Sequence, residues 1–328
     1  MERLDEIDFL RGICIFYMIL GHIIPSETLF DHYIHAFHMP VFFVVSGLFF
    51  NRNKQVKMFD LIKRNIKKFL IPYFIFGLLF LLFATVTKYG LFNTPKQYLI
   101  NLFTHNGSLA IAGALWFLIS FFFVTILFNL LNKIRNDYLF IIASILIMII
   151  GIYFYNLFHI KLILSLQSAL VGVGLMQGGV LLKKYKVLQR CTTDNLFIII
   201  LVAILNYVCI MKTGYVNMRI SVYPNIFMFL FNVFNSIILY ISVGKYLKKK
   251  FSDLYDKLVY FGQFSIFSLC LNQFFILIIN IILGKLNINL IIQNQIVMWF
   301  IVLYLVMFIT YMFTKYVLKT KIKYVFGK

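Results

Sequence analysis

The sequence predicts an all-α, polytopic membrane helical bundle of about ten transmembrane helices, with both termini inside, and three observations predict it. Of 328 residues, 62% are hydrophobic and 13% charged, against roughly 45–50% and about 25% in a soluble domain. The apolar residues gather in runs near the roughly 20 residues that a bilayer crossing needs. The basic residues cluster in alternate connections between those runs. A soluble enzyme is excluded.

The runs lie near residues 9–24, 36–50, 69–87, 114–131, 138–155, 163–182, 195–211, 225–243, 259–283 and 294–314. The second is short and stops at Asn51, as a tilted or re-entrant segment would. Ten crossings place both termini on one side. With the amino terminus inside, the inner segments hold 24 Lys and Arg and the outer ones 6, while Arg11 sits at the start of the first run. Positive charge concentrates in cytoplasmic loops, so the asymmetry sets the orientation. It also accounts for the net charge of +20 without a nucleic-acid partner. Residues 54–68 alternate basic and apolar side chains at helical spacing, which suits either a helix along the inner membrane surface or a solvated connector. No linker, composition break or repeat divides the chain, so 1–328 reads as one integral-membrane domain. Met1 to Asp8 is acidic and no small-residue cleavage site follows the first run, so no cleavable signal is expected.

Ionisable groups are costly inside a bilayer and therefore informative. None of the 11 Asp and Glu falls in the middle of a run, which argues against proton-coupled transport through buried carboxylates and against paired-carboxylate glycoside hydrolysis. Four of the six histidines lie between residues 22 and 38: His22, His32, His35 and His38. Asp31, His32 and His35 have a spacing that zinc could use, but loop histidines are ordinarily solvated and no metal is expected. The four cysteines show no C-x-x-C spacing. Arg11 and His22 are 11 residues apart, about three helical turns and a rise of about 16.5 Å, so both face one way. Asp8, three residues before Arg11, can orient or neutralise it. A snorkelling anchor for Arg11 and a packing role for His22 are the competing readings.

These residues resemble a known family. Arg-x10-His in the first helix, here RGICIFYMILGH from Arg11 to His22, is the signature of the membrane-bound acyltransferase family 3. The blocks FHMPVFFVVSG (Phe37 to Gly47), KRNIKKFLIPY (Lys63 to Tyr73) and LWFL (Leu115 to Leu118) follow in the family's order. The late helix GQFSIFSLCLNQFF (Gly262 to Phe275) departs from it, offering Asn272 and Gln273 where the family often shows a histidine. An amide cannot take a proton at neutral pH, so Asn272 is read as a substrate contact.

The resemblance implies transfer of an acyl group, usually acetyl from acetyl-CoA, to a carbohydrate hydroxyl at the bacterial surface, by a protein of the cytoplasmic membrane. His22 would then be the base or acyl carrier. Arg11, with Arg64, Lys67 and Lys68, would meet the CoA phosphates. His38 and Ser46 fall to the acceptor or the acyl group, although Ser46 also suits close helix packing. Trp116 is either a pocket wall or part of an interfacial belt. A polysaccharide flippase or exporter without acyl transfer is the main rival. Single cysteines at positions 26 and 249, in a background lacking the four native ones, should label from opposite sides of sealed cells; labelling from one side would overturn the topology.

Overall fold

The computed structural model describes residues 5–54, 56–87, 94–104, 110–160, 162–288, 292 and 294–326. Arg3, Lys88, His105 and Lys161 lie outside the described residues. Among the described residues the named elements are helical, with one isolated antiparallel bridge between Asn217 and Val222. The helices are α1 (Asp5–Gly21), α2 (Leu29–His35), α3 (His38–Leu48), α4 (Met58–Asn65), α5 (Ile71–Thr87), α6 (Pro95–Thr104), α7 (Trp116–Leu131), α8 (Asp137–Phe158), α9 (Leu166–Lys184), α10 (Val187–Cys191), α11 (Leu196–Thr213), α12 (Ile226–Lys250), α13 (Ser252–Gln263), α14 (Ser265–Lys285) and α15 (Gln295–Val317). A π-turn at Ile66–Leu70 joins α4 to α5. Short 3-10 turns lie at Ala110–Leu115, Met218–Ile220 and Lys321–Phe326.

Among the described residues eight helical runs are long and apolar enough to cross a bilayer. They correspond to eight of the expected ten. Asparagine starts four of them: the side chains of Asn136, Asn195, Asn225 and Asn294 each accept from backbone N–H groups of the first turn, which satisfies donors the helix cannot.

The two remaining runs are different in kind. α1 has 17 residues and α3 only 11, or about 25 Å and 16 Å of rise, against a hydrocarbon core of about 30 Å. The expected run at 36–50 is interrupted, because Phe37 leaves helical geometry (φ −142°) and separates α2 from α3. α3 is buried on every side from His38 to Val45. The expected run at 259–283 is also two helices, since Phe264 (φ −115°, ψ 27°) ends α13 and begins α14. The basic segment at 54–68 does not lie apart from the next crossing: α4, the π-turn and α5 form one run, Met58–Thr87.

Glycine lets the short helices sit deep. A Cβ on Gly12 would fall on the Leu258 carbonyl oxygen, and one on Gly262 on that of Asp8, so α1 and α13 touch backbone to backbone. Gly47 and Gly179 do the same for α3 and α9, against the carbonyls of Met176 and Val44. Small residues at such crossings replace the hydrophobic drive that helices lack in lipid.

The basic connections gather at one end, called the inner end below. There Arg52 Nε donates to Asp137 Oδ1 at 2.7 Å, Lys184 Nζ to Asp137 Oδ2 at 3.2 Å, and Lys183 Nζ to the Phe50 carbonyl at 3.3 Å. Lys249 pairs with Asp194 at the same end, and Lys245 donates to Thr192 Oγ1 at 2.6 Å. Gly179→Ala should cost about 1–3 kcal/mol by overpacking, read as a lower melting temperature in detergent. Gly284→Ala is the control, because nothing lies within 4 Å of its would-be Cβ; equal melting of the two variants would contradict the α3–α9 contact.

Candidate active site

Two cavities lie toward opposite ends of α1. The inner one, about 240 Å³, is walled by Arg11, Phe42, Ser46, Lys68, Gln263 and Ser265 among others. The outer one, about 210 Å³, takes in His22, His35, His38, Trp116, Tyr215 and Arg219. Both are smaller than the roughly 300–1,000 Å³ that drug-sized ligands fill, so each fits the end of a ligand.

The inner cavity is built around α1. Arg11 Nη1 donates to Asp8 Oδ1 at 3.1 Å, and the guanidinium lies 5.2 Å from the centre of the Phe49 ring. Asp8 is nearly buried, whereas the Arg11 side chain keeps 27% of its exposure, facing the cavity. The carboxylate therefore aims the guanidinium while leaving N–H groups for a ligand. Lys68 enters from the π-turn, over the ring of Phe69. Ser46 lines the wall with its hydroxyl donating to the Phe42 carbonyl at 3.1 Å. Arg64 and Lys67, expected beside Arg11, are exposed and outside the lining.

The outer cavity occupies the space above α3. α1 ends at Gly21, so His22 sits in the following turn, with its N–H on the Ile19 carbonyl at 3.1 Å. Its ring faces the cavity, and Gln273 Nε2 lies 3.4 Å from its Nδ1. Gln273 Oε1 accepts from the Ala114 N–H at 3.1 Å, which fixes the amide's orientation. The NH2 group can then only donate, so Nδ1 of a neutral His22 accepts and Nε2 carries the proton. His35 has the opposite tautomer. Its Nδ1 is 2.8 Å from Asp31 Oδ1 and 3.0 Å from the Asp31 carbonyl, both acceptors, which leaves Nε2 unprotonated in the neutral ring. Asp31 is buried, and its Oδ2 accepts from the Glu27 N–H at 2.9 Å. His38 donates from Nδ1 to the Ile34 carbonyl at 2.6 Å, and its ring meets that of His35 edge-on at 5.3 Å.

A thin septum divides the cavities. Met39 faces the outer cavity and Phe42, one turn along α3, the inner one; Trp116 faces the outer cavity while Phe117 and Leu118 face the inner. Met39 and Phe42 are about one helical turn apart and Trp116 and Phe117 are neighbours, so the cavities adjoin along α3 and α7.

Asn272 lies in neither cavity lining. It is fully buried, and its Nδ2 donates to the carbonyls of Ser268 and Leu269, each at 2.9 Å. Its neighbour Gln273, about 100° around α14, reaches His22 instead. Gln273 and Arg219 have no role in the sequence expectations, and Asp31 with His35 has only the zinc-compatible spacing. The i, i+4 spacing of Asp31 and His35 was a legible signal for that pair, whereas nothing in the sequence placed residue 219 near residue 22. Among the described residues no group of His, Cys, Asp and Glu could hold a metal ion.

The helical bundle thus carries a cationic inner cavity and a histidine-lined outer one. The chain belongs to acyltransferase family 3, whose acyltransferase domain matches residues 4–317, nearly its whole length. It is thus a multi-pass membrane acyltransferase, with an acyl donor and an acceptor. No curated protein and no solved structure matches it. Nitrogen-15 NMR of labelled histidine should find His22 protonated at Nε2, and Gln273→Leu should release it to a mixture of tautomers; an Nδ1–H His22 in the parent protein would contradict the Gln273 contact.

Proposed function

We propose that this acyltransferase moves an acetyl group from cytoplasmic acetyl-CoA to a hydroxyl of a cell-surface or lipid-linked carbohydrate, in the bacterial cytoplasmic membrane. The observation that carries the reading is the pair of cavities toward opposite ends of α1, with adjoining walls on α3 and α7. The Arg11 guanidinium and Lys68 ammonium suit phosphate and carbonyl oxygens of an acyl-CoA arriving from the inner side. From there an extended thioester arm reaches toward His22, about 16 Å along the same helix. The inner cavity's size fits the arm of CoA and leaves its nucleotide outside.

In the outer cavity the sugar hydroxyl must lose a proton as its oxygen bonds to the acetyl carbon and the thiolate leaves. His22 supplies a lone pair at Nδ1. Its 3.4 Å contact with Gln273 is long for a hydrogen bond, so an acceptor hydroxyl can displace the amide and pass its proton to the ring. The same nitrogen would carry the acetyl group in a two-step transfer. A second assignment of the base rests on one observation, the Asp31–His35 contact of 2.8 Å. It holds His35 with Nε2 free, the orientation a carboxylate gives a catalytic imidazole.

Surface-glycan acetylation by variants of equal membrane abundance tests these roles. His22→Gln should lose about 100- to 10,000-fold activity, the usual worth of general-base catalysis, while acyl-CoA binding to the purified protein persists. Wild-type acetylation by His22→Gln together with loss in His35→Gln would move the base to His35. Arg11→Lys keeps charge but not the planar fork, so acyl-CoA binding should weaken sharply. Full activity in all three variants, with transport of unmodified polysaccharide, would favour a flippase.

A further inference from the structure

Arg219 is a cation built into the wall of the outer cavity. It belongs to the turn at Met218–Ile220, where Asn217 Oδ1 accepts from the N–H groups of Arg219 (3.1 Å) and Ile220 (3.4 Å). Asn217 is fixed in turn by its backbone bridge to Val222 and by Nδ2 donating to the Tyr215 hydroxyl at 3.1 Å. The turn is pinned to α9 by Ser168 Oγ, which donates to the Met218 carbonyl at 2.8 Å, and by the buried side chains of Val216 and Met218. The guanidinium is thereby presented from a rigid support.

It points to the catalytic end of the cavity. The place where a Gly113 Cβ would sit is 3.0 Å from Arg219 Nη1 and 3.4 Å from Gln273 Nε2. A Cβ there would press on the guanidinium, which lies close to the amide that faces His22. Asp31, a carboxylate of the same wall, is engaged elsewhere. Glu27 and Asp31 are the only carboxylates in segments assigned to the outer side. Asp31 spends Oδ1 on His35 and Oδ2 on the Glu27 N–H at 2.9 Å, and Glu27 is not part of the cavity wall. Among the described residues no carboxylate pairs with Arg219. Burial draws the Arg219 pKa below its ordinary value, opposed by Tyr215, while the side chain stays open to the cavity.

We infer that the outer cavity selects an anionic carbohydrate, with Arg219 gripping a carboxylate or phosphate of the acceptor while the hydroxyl to be acylated lies at His22. A planar guanidinium offers paired donors that match two oxygens of either group, and a neutral sugar would leave it unmatched. The inference rests on the acyl-transfer reading for the role of acceptor; the binding itself does not depend on it.

The test is equilibrium binding to the full-length protein in nanodiscs of zwitterionic lipid, using three probes: a glucuronic-acid disaccharide, its carboxyl-reduced neutral counterpart, and glucose 1-phosphate. At least one anionic probe should bind saturably, more weakly as salt rises, and more tightly than the neutral disaccharide. Arg219→Gln should weaken that probe by about 10- to 100-fold, the range for a charged hydrogen-bonding partner, and erase its advantage over the neutral sugar. Arg219→Lys should recover part of the loss. Retention of acyl-CoA binding and a monodisperse profile shows that the glutamine variant is folded. Preference for the uronate identifies an acidic sugar, and preference for the phosphate a phosphorylated or lipid-linked one. Equal affinity for charged and neutral probes in the parent protein, or unchanged anion binding by a folded Arg219→Gln variant, would overturn the inference. Glycan acetylation followed in parallel separates the two readings, since Arg219-dependent anion binding without acetylation would leave this inference standing and remove the acetyltransferase assignment.

Discussion

The backbone contact between α1 and α13 is the constraint on which the rest of the site depends. Gly12 and Gly262 bring each helix against a carbonyl of the other, at Leu258 and Asp8. That approach fixes the depth of α1, and with it the depths of Arg11 and His22. It also buries Asp8 beside Arg11. In hydrocarbon a lone guanidinium is expensive, and a partner on the same helix, three residues away, lowers the cost without consuming every N–H.

The shortness of α3 has the larger consequence. A helix of 11 residues leaves about half the hydrocarbon thickness to other material, and the turn after α1 and the short helix α2 take that place. Non-helical backbone at such depth is stable only where protein or a water-filled cavity satisfies it. Local bonds do this, with the N–H groups of His22 and Ile23 on the Ile19 and Leu20 carbonyls and the Glu27 N–H on Asp31 Oδ2. A polar side-chain seam braces the segment: the hydroxyls of Tyr17, Tyr33 and Tyr240 are linked at 2.9 and 2.8 Å, Tyr33 donates to Asn206 Oδ1 at 3.2 Å, and Asn206 donates to Ser236 at 3.0 Å. The seam ties α1 and α2 to α11 and α12. The outer cavity is the space this arrangement does not fill, and its histidines face inward because α2 and α3 meet at a bend.

The chemistry follows from how charge is divided. At the inner end Arg11 remains available although Asp8 orients it. At the outer end Asp31 is committed to His35, and Gln273 is committed to the Ala114 N–H before it reaches His22. Two imidazoles with opposite tautomers therefore share one cavity, one presenting a proton at Nε2 and the other a lone pair. The apolar side chains of Met39, Phe42, Trp116 and Phe117 lie where the walls of the two cavities adjoin.

The composition, the apolar runs and the alternation of basic loops determined by themselves that this is an all-α membrane bundle, because burial in lipid forces runs of about 20 apolar residues and leaves few places for charge. Arg11 and His22 were legible for the same reason: polar residues on one face of a bilayer helix stand out against an apolar background. The shortness of the second run was legible, but local sequence did not disclose the breaks at Phe37 and Phe264 or the exclusion of Arg64 and Lys67 from the inner cavity, since an apolar run looks alike whether its helix is continuous or bent. Asn272 and Gln273 differ only by a rotation of about 100° on one helix, and which of them met His22 depended on how α14 packs against α1. Arg219 is nearly 200 residues from His22 along the chain, and a loop arginine carries no periodicity to reveal its direction. Tertiary structure alone decided that it faces the cavity, by pinning its turn to α9 and leaving Gly113 without a side chain in its path.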